Sequence, residues 1–263
     1  PVQRVIHKVF GSRWYWFGNI AMALVVGLAG VPHLAILLIG VATVSGIFWE
    51  LEKRGRSWQV AGTTALVVAS CMVIGLGFLW VTTNQVNLQG EIKSQVSGIL
   101  SALKISKEKV QFEELMWQIP SVAVILLILN LASALLFDKK MAILVRIPVY
   151  LVSFPVSATN YRMPDLFIWF TMVAFLFSFL KIKPDWVPIL ALNIFNVAVV
   201  LYFFQGLAIV ESFFEKVRVT GIWRSVLYLI LVLQLFLVTS FLGFVDYWLD
   251  FRKRITQIKP LAS

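Results

Sequence analysis

The sequence predicts an all-α protein built as a polytopic bundle of transmembrane helices. Its 263 residues are 60% hydrophobic and only 14% charged, whereas soluble domains carry about 25% charged residues. The mean hydropathy of +0.87 agrees with this composition. The apolar residues form uncharged runs, and about 20 such residues suffice to cross a bilayer. These observations exclude an ordinary soluble enzyme and predict a single integral membrane domain over residues 1–263.

The first uncharged run, Trp14–Trp49, is too long for one crossing. A single helix of this length would extend about 54 Å, because an α-helix rises 1.5 Å per residue. The sequence Gly30-Val31-Pro32-His33 interrupts the run near its middle. We therefore expect two helices joined by a tight turn, with Pro32 early in the second helix.

Further apolar runs predict spans at residues 59–81, 116–137, 164–180, 186–210 and 225–249. Residues 141–158 are ambiguous, because this short segment contains an arginine and two prolines. It either crosses the membrane, which gives about eight helices, or is a re-entrant or surface segment, which gives seven. Residues 82–115 have apolar side chains at helical spacing, which predicts an amphipathic outer helix, either a fixed cover or a movable lid.

Basic residues lie mostly between the apolar runs and account for the net charge of +10. This distribution is typical of a protein whose partner is the lipid bilayer, and we expect no nucleic acid as a partner. Eight crossings place fourteen Lys and Arg inside and eight outside, whereas seven crossings place thirteen inside and ten outside. The positive-inside rule therefore favours eight crossings, with both termini cytoplasmic, residues 159–163 outside and residues 250–263 inside.

Several polar residues occur within or beside the apolar runs. Asn193, Asn196 and Glu211 fall on one stripe of a straight helix, and Gln205-Gly206 lies near the outer end of the same span. Polar groups in hydrocarbon are costly and usually face the bundle interior. They serve either hydrogen bonds between helices or a pocket for a small molecule. The candidate binding residues are Asn130, Asn193, Asn196, Gln205, Gly206 and Glu211.

Charged residues near the C-terminal end are spaced for one helix face. Asp246, Asp250 and Arg254 are four residues apart, and Asp250 with Arg254 has the favourable order for an ion pair. Basic residues here also suit a helix end beside an anionic inner leaflet. The candidate docking residues for a cytoplasmic partner are Asp246, Asp250, Arg252 and Arg254, with a purely structural role as the alternative.

The segment Arg162-Met163-Pro164-Asp165 predicts the start of a helix. Proline is favoured in a first helical turn, and an acidic residue there interacts with the positive end of the helix dipole. We expect Arg162 to pair with Asp165 or with a lipid phosphate.

Motifs for common catalytic sites are missing from the sequence. It has no phosphate-binding loop, no His-Glu-x-x-His and no Cys-x-x-Cys, and only two histidines, His7 and His33, and one cysteine, Cys71. We therefore expect no enzymatic activity, no catalytic residue, no cofactor and no metal site.

Motifs in the second half of the chain carry a family resemblance. They are Gln118-Ile119-Pro120, Tyr161-Arg162-Met163-Pro164-Asp165, Gln205-Gly206 and Gly243-x-x-Asp246-x-x-x-Asp250-Phe251-Arg252, within residues 118–254. With these motifs the chain resembles the bacterial YybS-like family, domain of unknown function 2232. That family is grouped loosely with the substrate-binding membrane subunits of energy-coupling-factor vitamin transporters and with the shape-determining protein MreD. The resemblance implies a multi-pass protein of the bacterial cytoplasmic (inner) membrane.

Two functions are compatible with these observations. One is a membrane subunit or scaffold of a larger complex, associated with other membrane subunits or with further copies of itself. The alternative is a solute-binding or transport subunit, similar to the vitamin transporter components, which binds a small molecule and needs a separate energising partner.

Overall fold

The computed structural model describes residues 2–85, 90, 116–144, 161–180, 182–184, 186–219 and 221–257. These residues are mostly helical and contain no strand, so the all-α prediction is confirmed. The helices are α1 (Val2–Leu28), α2 (Pro32–Lys53), α3 (Trp58–Asn84), α4 (Ile119–Leu144), α5 (Asp165–Phe179), α6 (Trp186–Val217), α7 (Ile222–Leu233), α8 (Phe236–Leu249) and α9 (Phe251–Gln257). The predicted segments 82–115 and 141–158 lie largely outside the described residues.

Among the described helices, α2, α3 and α6 are long and apolar enough to cross a membrane. Two apolar helices, Ile119–Leu135 within α4 and Asp165–Phe179, are shorter. A multi-pass membrane bundle is therefore confirmed.

The span predicted at residues 225–249 differs from a straight crossing. Two helices, α7 and α8, take its place and are bent by 92° at a short break. The break falls at Gln234 and Leu235, where α7 ends and α8 begins. Neither Pro nor Gly marks this position, so no helix-breaking residue signals the bend.

The described helices form two compact units, Pro1–Pro155 and Val156–Ser263. We refer to them as the N-terminal and the C-terminal unit. The single integral domain expected over residues 1–263 stays a prediction.

In the N-terminal unit, α1 and α2 are joined by the predicted turn. Gly30 has a φ of 84°, in the left-handed region that glycine adopts without strain, and α2 begins at Pro32. The buried Tyr15 hydroxyl donates a hydrogen bond of 2.8 Å to the Ala42 carbonyl and ties α1 to α2. Small residues on α3 (Ala61, Ala65 and Ala69) pack with Val44, Phe48 and Leu127 from α2 and α4 to form the core.

In the C-terminal unit, α5 lies antiparallel to α6. The rings of Phe167 and Tyr202 are 6.0 Å apart, and those of Phe175 and Phe195 are 5.2 Å apart. The start of α5 therefore lies beside the second half of α6. Helix α8 packs on that same part of α6, where its Phe236 ring is 4.8 Å from Phe203.

Candidate functional site

The contact between α6 and α8 depends on two glycines. A Cβ atom on Gly206 would lie 1.9 Å from the Thr239 carbonyl oxygen, and one on Gly243 would lie 2.0 Å from the Tyr202 carbonyl oxygen. No side chain fits at either position, so the two backbones touch directly. Small residues allow this close approach between helices in membranes, where packing replaces the hydrophobic driving force.

Gln205 joins three segments at this contact. Its side chain is 2% exposed, and its Oε1 accepts a hydrogen bond of 2.9 Å from the backbone N–H of Met163. Its Nε2 donates to the Gly243 carbonyl at 3.0 Å and to Asp246 Oδ2 at 3.4 Å. One buried amide thus fixes the start of α5 and the end of α8 to α6, and its hydrogen bonds are made inside the protein.

Asp246 is the buried charge of the site and is 1% exposed. Its Oδ1 accepts a hydrogen bond of 2.9 Å from the backbone N–H of Phe251, and Arg252 Nε lies 3.9 Å from its Oδ2. Arg252 also donates a hydrogen bond of 2.6 Å to the Tyr161 carbonyl. Burial lowers the pKa of Arg252, and the Asp246 carboxylate opposes this shift. The pair holds the junction between α8 and α9 against the segment before α5.

Further ion pairs lie at the protein surface, beside the pair formed by Asp246 and the half-buried Arg252. Asp250 lies 3.3 Å from Arg162 and 2.8 Å from Lys253, and Arg162 also lies 3.6 Å from Asp165. Lys253, with a further contribution from Arg162, holds the pKa of Asp250 below its ordinary value. The pairing expected between Arg162 and Asp165 is confirmed. We call these four residues the charged face, together with the exposed Arg254, whose backbone N–H donates to the Asp250 carbonyl at 3.3 Å: Arg162, Asp165, Asp250, Lys253 and Arg254.

The prediction that Asp246, Asp250 and Arg254 share one helix face is wrong. Asp250 has a φ of 45° and ends α8, and the chain starts the short helix α9 at Phe251. The interruption removes the four-residue register, so Asp250 pairs with Arg162 and Lys253 instead of Arg254. The contact with Arg162 also joins two segments, 159–163 and 250–263, that the eight-helix prediction placed on opposite sides of the membrane.

Two candidate binding residues, Gln205 and Gly206, belong to this site, whereas the others lie elsewhere. Asn193 is buried, and its Nδ2 donates 2.8 Å to Ile189 O in its own helix. It lies about 18 Å along α6 from Gln205, and the half-buried Asn196 about 14 Å. Glu211 pairs with Arg224 and accepts a hydrogen bond from Tyr228, both on α7.

Asn130 lies in the N-terminal unit, on α4. Its Nδ2 is buried and has no hydrogen-bond partner among the residues that the structure describes. The stripe of polar residues expected to face one pocket is therefore distributed over separate contacts.

A comparison with family models identifies the chain. The model for a predicted membrane protein, DUF2232, matches residues 12–247. The chain belongs to this family. The DUF2232 match includes Gln205, Gly206, Gly243 and Asp246, whereas Asp250 and α9 lie beyond it. No curated protein and no solved structure matches the chain.

The contacts that assemble the site leave no local pattern in the sequence. Arg162 and Asp250 are 88 positions apart, and Tyr161 and Arg252 are 91 apart, so no local spacing relates them. One feature of the sequence did indicate the site: three of the family-like motifs place a polar residue inside an apolar run or at its end. They are the motifs at residues 161–165, 205–206 and 243–252. The structure brings these three motifs together in one cluster.

Proposed function

We propose that this DUF2232 protein is a membrane subunit or scaffold of a larger complex in the bacterial inner membrane, and that its charged face binds a partner protein. The proposal rests on the contacts that the polar side chains make within the C-terminal unit. Gln205, Asp246 and Arg252 contact one another and nearby backbone. These contacts position the α8–α9 junction.

The charged face has the properties of a prearranged docking surface. Asp165 is 69% exposed and Lys253 is 74% exposed, so both remain accessible beside the ion pairs. Charges of both signs in fixed positions favour a partner of complementary pattern and increase its association rate. Because buried contacts already hold this face in place, binding costs little additional ordering.

The exposed apolar side chains of α5, among them Leu166, Trp169 and Phe170, suit a different environment. We expect lipid to cover them, as on other membrane helices of this composition. The proposal therefore assigns the apolar sides of the helices to the bilayer and the charged face to the partner.

The test is isolation of the full chain from native membranes in mild detergent. We expect a second chain in stoichiometric amount, and we expect Arg254→Glu to reduce its recovery at least tenfold. Lys183→Glu is the matched control, since Lys183 is also exposed but belongs to the α5–α6 connection. The control should retain the partner, and both variants should unfold at the temperature of the unmodified chain.

Three outcomes would contradict the proposal. A monodisperse monomer without a co-isolated chain would exclude a stable complex. Equal recovery of the partner by Arg254→Glu and by the unmodified chain would exclude the charged face as its binding surface. A complex of two identical chains would show self-association instead of a different partner.

A second candidate function, binding of a small solute, is favoured by Asn130. A buried amide nitrogen without a partner among the described residues costs about 1–3 kcal/mol, and a bound solute would recover that energy. A panel of metabolites should then raise the unfolding temperature of the chain, and Asn130→Leu should abolish the increase. No shift across the panel would count against this function. Neither function involves catalysis or a cofactor.

A further inference from the structure

We infer that α7 and α8 form a re-entrant pair, which returns to the side of the membrane on which α5 begins, and that this side is the cytoplasm. The charged face would then meet a cytoplasmic protein. This inference rests on the proposed function and adds to it the side of the membrane on which the charged face binds its partner. The geometry behind it lies wholly within the C-terminal unit and does not depend on a partner.

The C-terminal end of the pair is fixed next to the start of α5. Asp250, which follows α8, contacts Arg162, and Arg162 lies three residues before the first residue of α5. The neighbouring Met163 contacts Gln205 of α6. The end of α8 and the start of α5 therefore lie at the level of Gln205.

The N-terminal end of the pair is fixed to the same part of α6. Arg224 and Tyr228 of α7 contact Glu211. From Gln205 to Glu211 the helix rises only about 9 Å, whereas the hydrocarbon core is about 30 Å thick. The two ends of the pair cannot lie on opposite sides of the bilayer.

The lengths of the two helices agree with this arrangement. α7 has 12 residues and α8 has 14, which correspond to about 18 and 21 Å. Neither helix alone covers the hydrocarbon core, and the bend of 92° prevents them from acting as one straight span. Backbone groups within a membrane need hydrogen-bond partners inside the protein, and at this bend the N–H groups of Gln234 and Leu235 donate to the Ile230 carbonyl at 2.9 and 3.1 Å.

The exposed side chains of α7 place it in contact with lipid. None of its residues is buried by the protein. Its large exposed apolar residues are Ile222, Trp223, Val226, Leu227, Leu229, Ile230, Val232 and Leu233. Facing water, they would form an apolar patch of a size that soluble surfaces avoid. Contact with lipid explains why these apolar side chains are exposed.

The distribution of basic residues indicates which side of the membrane this is. Of the nine Lys and Arg between residues 161 and 257, two are in the α5–α6 connection, Lys181 and Lys183. The other seven flank α5, α6, α7 and α8 at the end that holds the charged face: Arg162, Lys216, Arg218, Arg224, Arg252, Lys253 and Arg254. The positive-inside rule assigns the richer end to the cytoplasm.

Accessibility of single cysteines tests the inference. Cys71 is the only native cysteine, so Cys71→Ser gives a cysteine-free background. Into it we would introduce Asp165→Cys, Arg254→Cys and, as the control at the other end of α5, Lys183→Cys. A membrane-impermeant maleimide is then applied to intact spheroplasts and to inside-out vesicles. Folding of each variant is checked by its elution from a sizing column.

We expect D165C and R254C to react in inside-out vesicles and not in spheroplasts, and K183C to show the reverse. Reaction of D165C and R254C from opposite sides would overturn the re-entrant pair. Reaction of both from outside the cell would overturn the cytoplasmic assignment. Because the labelling requires no partner, its failure is distinguishable from failure to isolate a complex.

Discussion

Replacing Gly206 with alanine should separate α8 from α6. The new Cβ would lie 1.9 Å from the Thr239 carbonyl oxygen, and ordinary contact begins at 3.4 Å. The helices must therefore move apart by about 1.5 Å, since the atom in the way is backbone and cannot rotate. Overpacking of this kind costs about 1–3 kcal/mol, and the weakened hydrogen bonds of the neighbouring Gln205 add about 1 kcal/mol.

We expect a total loss of about 3 kcal/mol, which corresponds to a decrease of about 6–12 °C in unfolding temperature for a protein of this size. Thermal unfolding of the full chain in detergent, followed by tryptophan fluorescence, measures the decrease. Gly75→Ala is the matched control, because a Cβ on Gly75 has nothing within 4 Å, and alanine should stabilise the helix slightly. An unfolding temperature of Gly206→Ala equal to or above that of Gly75→Ala would refute the direct backbone contact.

Three further substitutions test separate contacts by the same unfolding measurement. Tyr15→Phe removes a buried hydrogen bond to a carbonyl of α2 and should lower the free energy of unfolding by about 1 kcal/mol; no change would indicate that the bond adds nothing. Asn130→Leu removes an amide whose buried Nδ2 has no hydrogen-bond partner among the described residues and should raise that free energy by about 1 kcal/mol, whereas a decrease would reveal a partner for the amide. Asp246→Asn removes the charge that faces the half-buried Arg252 and should cost about 1–2 kcal/mol, against almost nothing for the exposed Asp165→Asn; equal losses would contradict the ion pair between Asp246 and Arg252.

The sequence predicted the regular parts of the fold. Hydropathy alone locates the long apolar helices, because uncharged runs of this length are stable only as membrane spans or buried helices. The turn at Gly30 and the start of α2 at Pro32 were also predictable, since each requires a backbone geometry that favours that residue. The start of α5 at Asp165, with its ion pair to Arg162, follows from local spacing in the same way.

The bend between α7 and α8 could not be predicted from the sequence. No helix-breaking residue marks it, and α8 takes its direction from the contact of Gly243 with Tyr202 on α6. Periodicity assumes a continuous helix, so it also placed Asp250 and Arg254 on one face. The left-handed conformation of Asp250 ends that helix, and contacts distant in sequence then decide its partners.

The sequence predicted several residues of the candidate site but not the contacts between them. Gln205, Gly206 and Asp246 were identified as candidates from their positions in apolar runs. Their mutual contact was not, because they lie on different helices about 40 residues apart. A polar residue in an apolar run indicates a partner, but identifying that partner requires the packing of the helices.

A double-mutant cycle between Gln205 and Asp246 tests the central claim most directly, namely that these residues contact each other and hold α6, α8 and the start of α5 together. Gln205→Met and Asp246→Leu, alone and combined, would be compared by their free energies of unfolding in detergent, because leucine is close to aspartate in size and cannot accept a hydrogen bond from Gln205. We predict a coupling energy of about 1–3 kcal/mol, as for residues within one hydrogen-bond network. Additive effects, within about 0.5 kcal/mol, would contradict the contact.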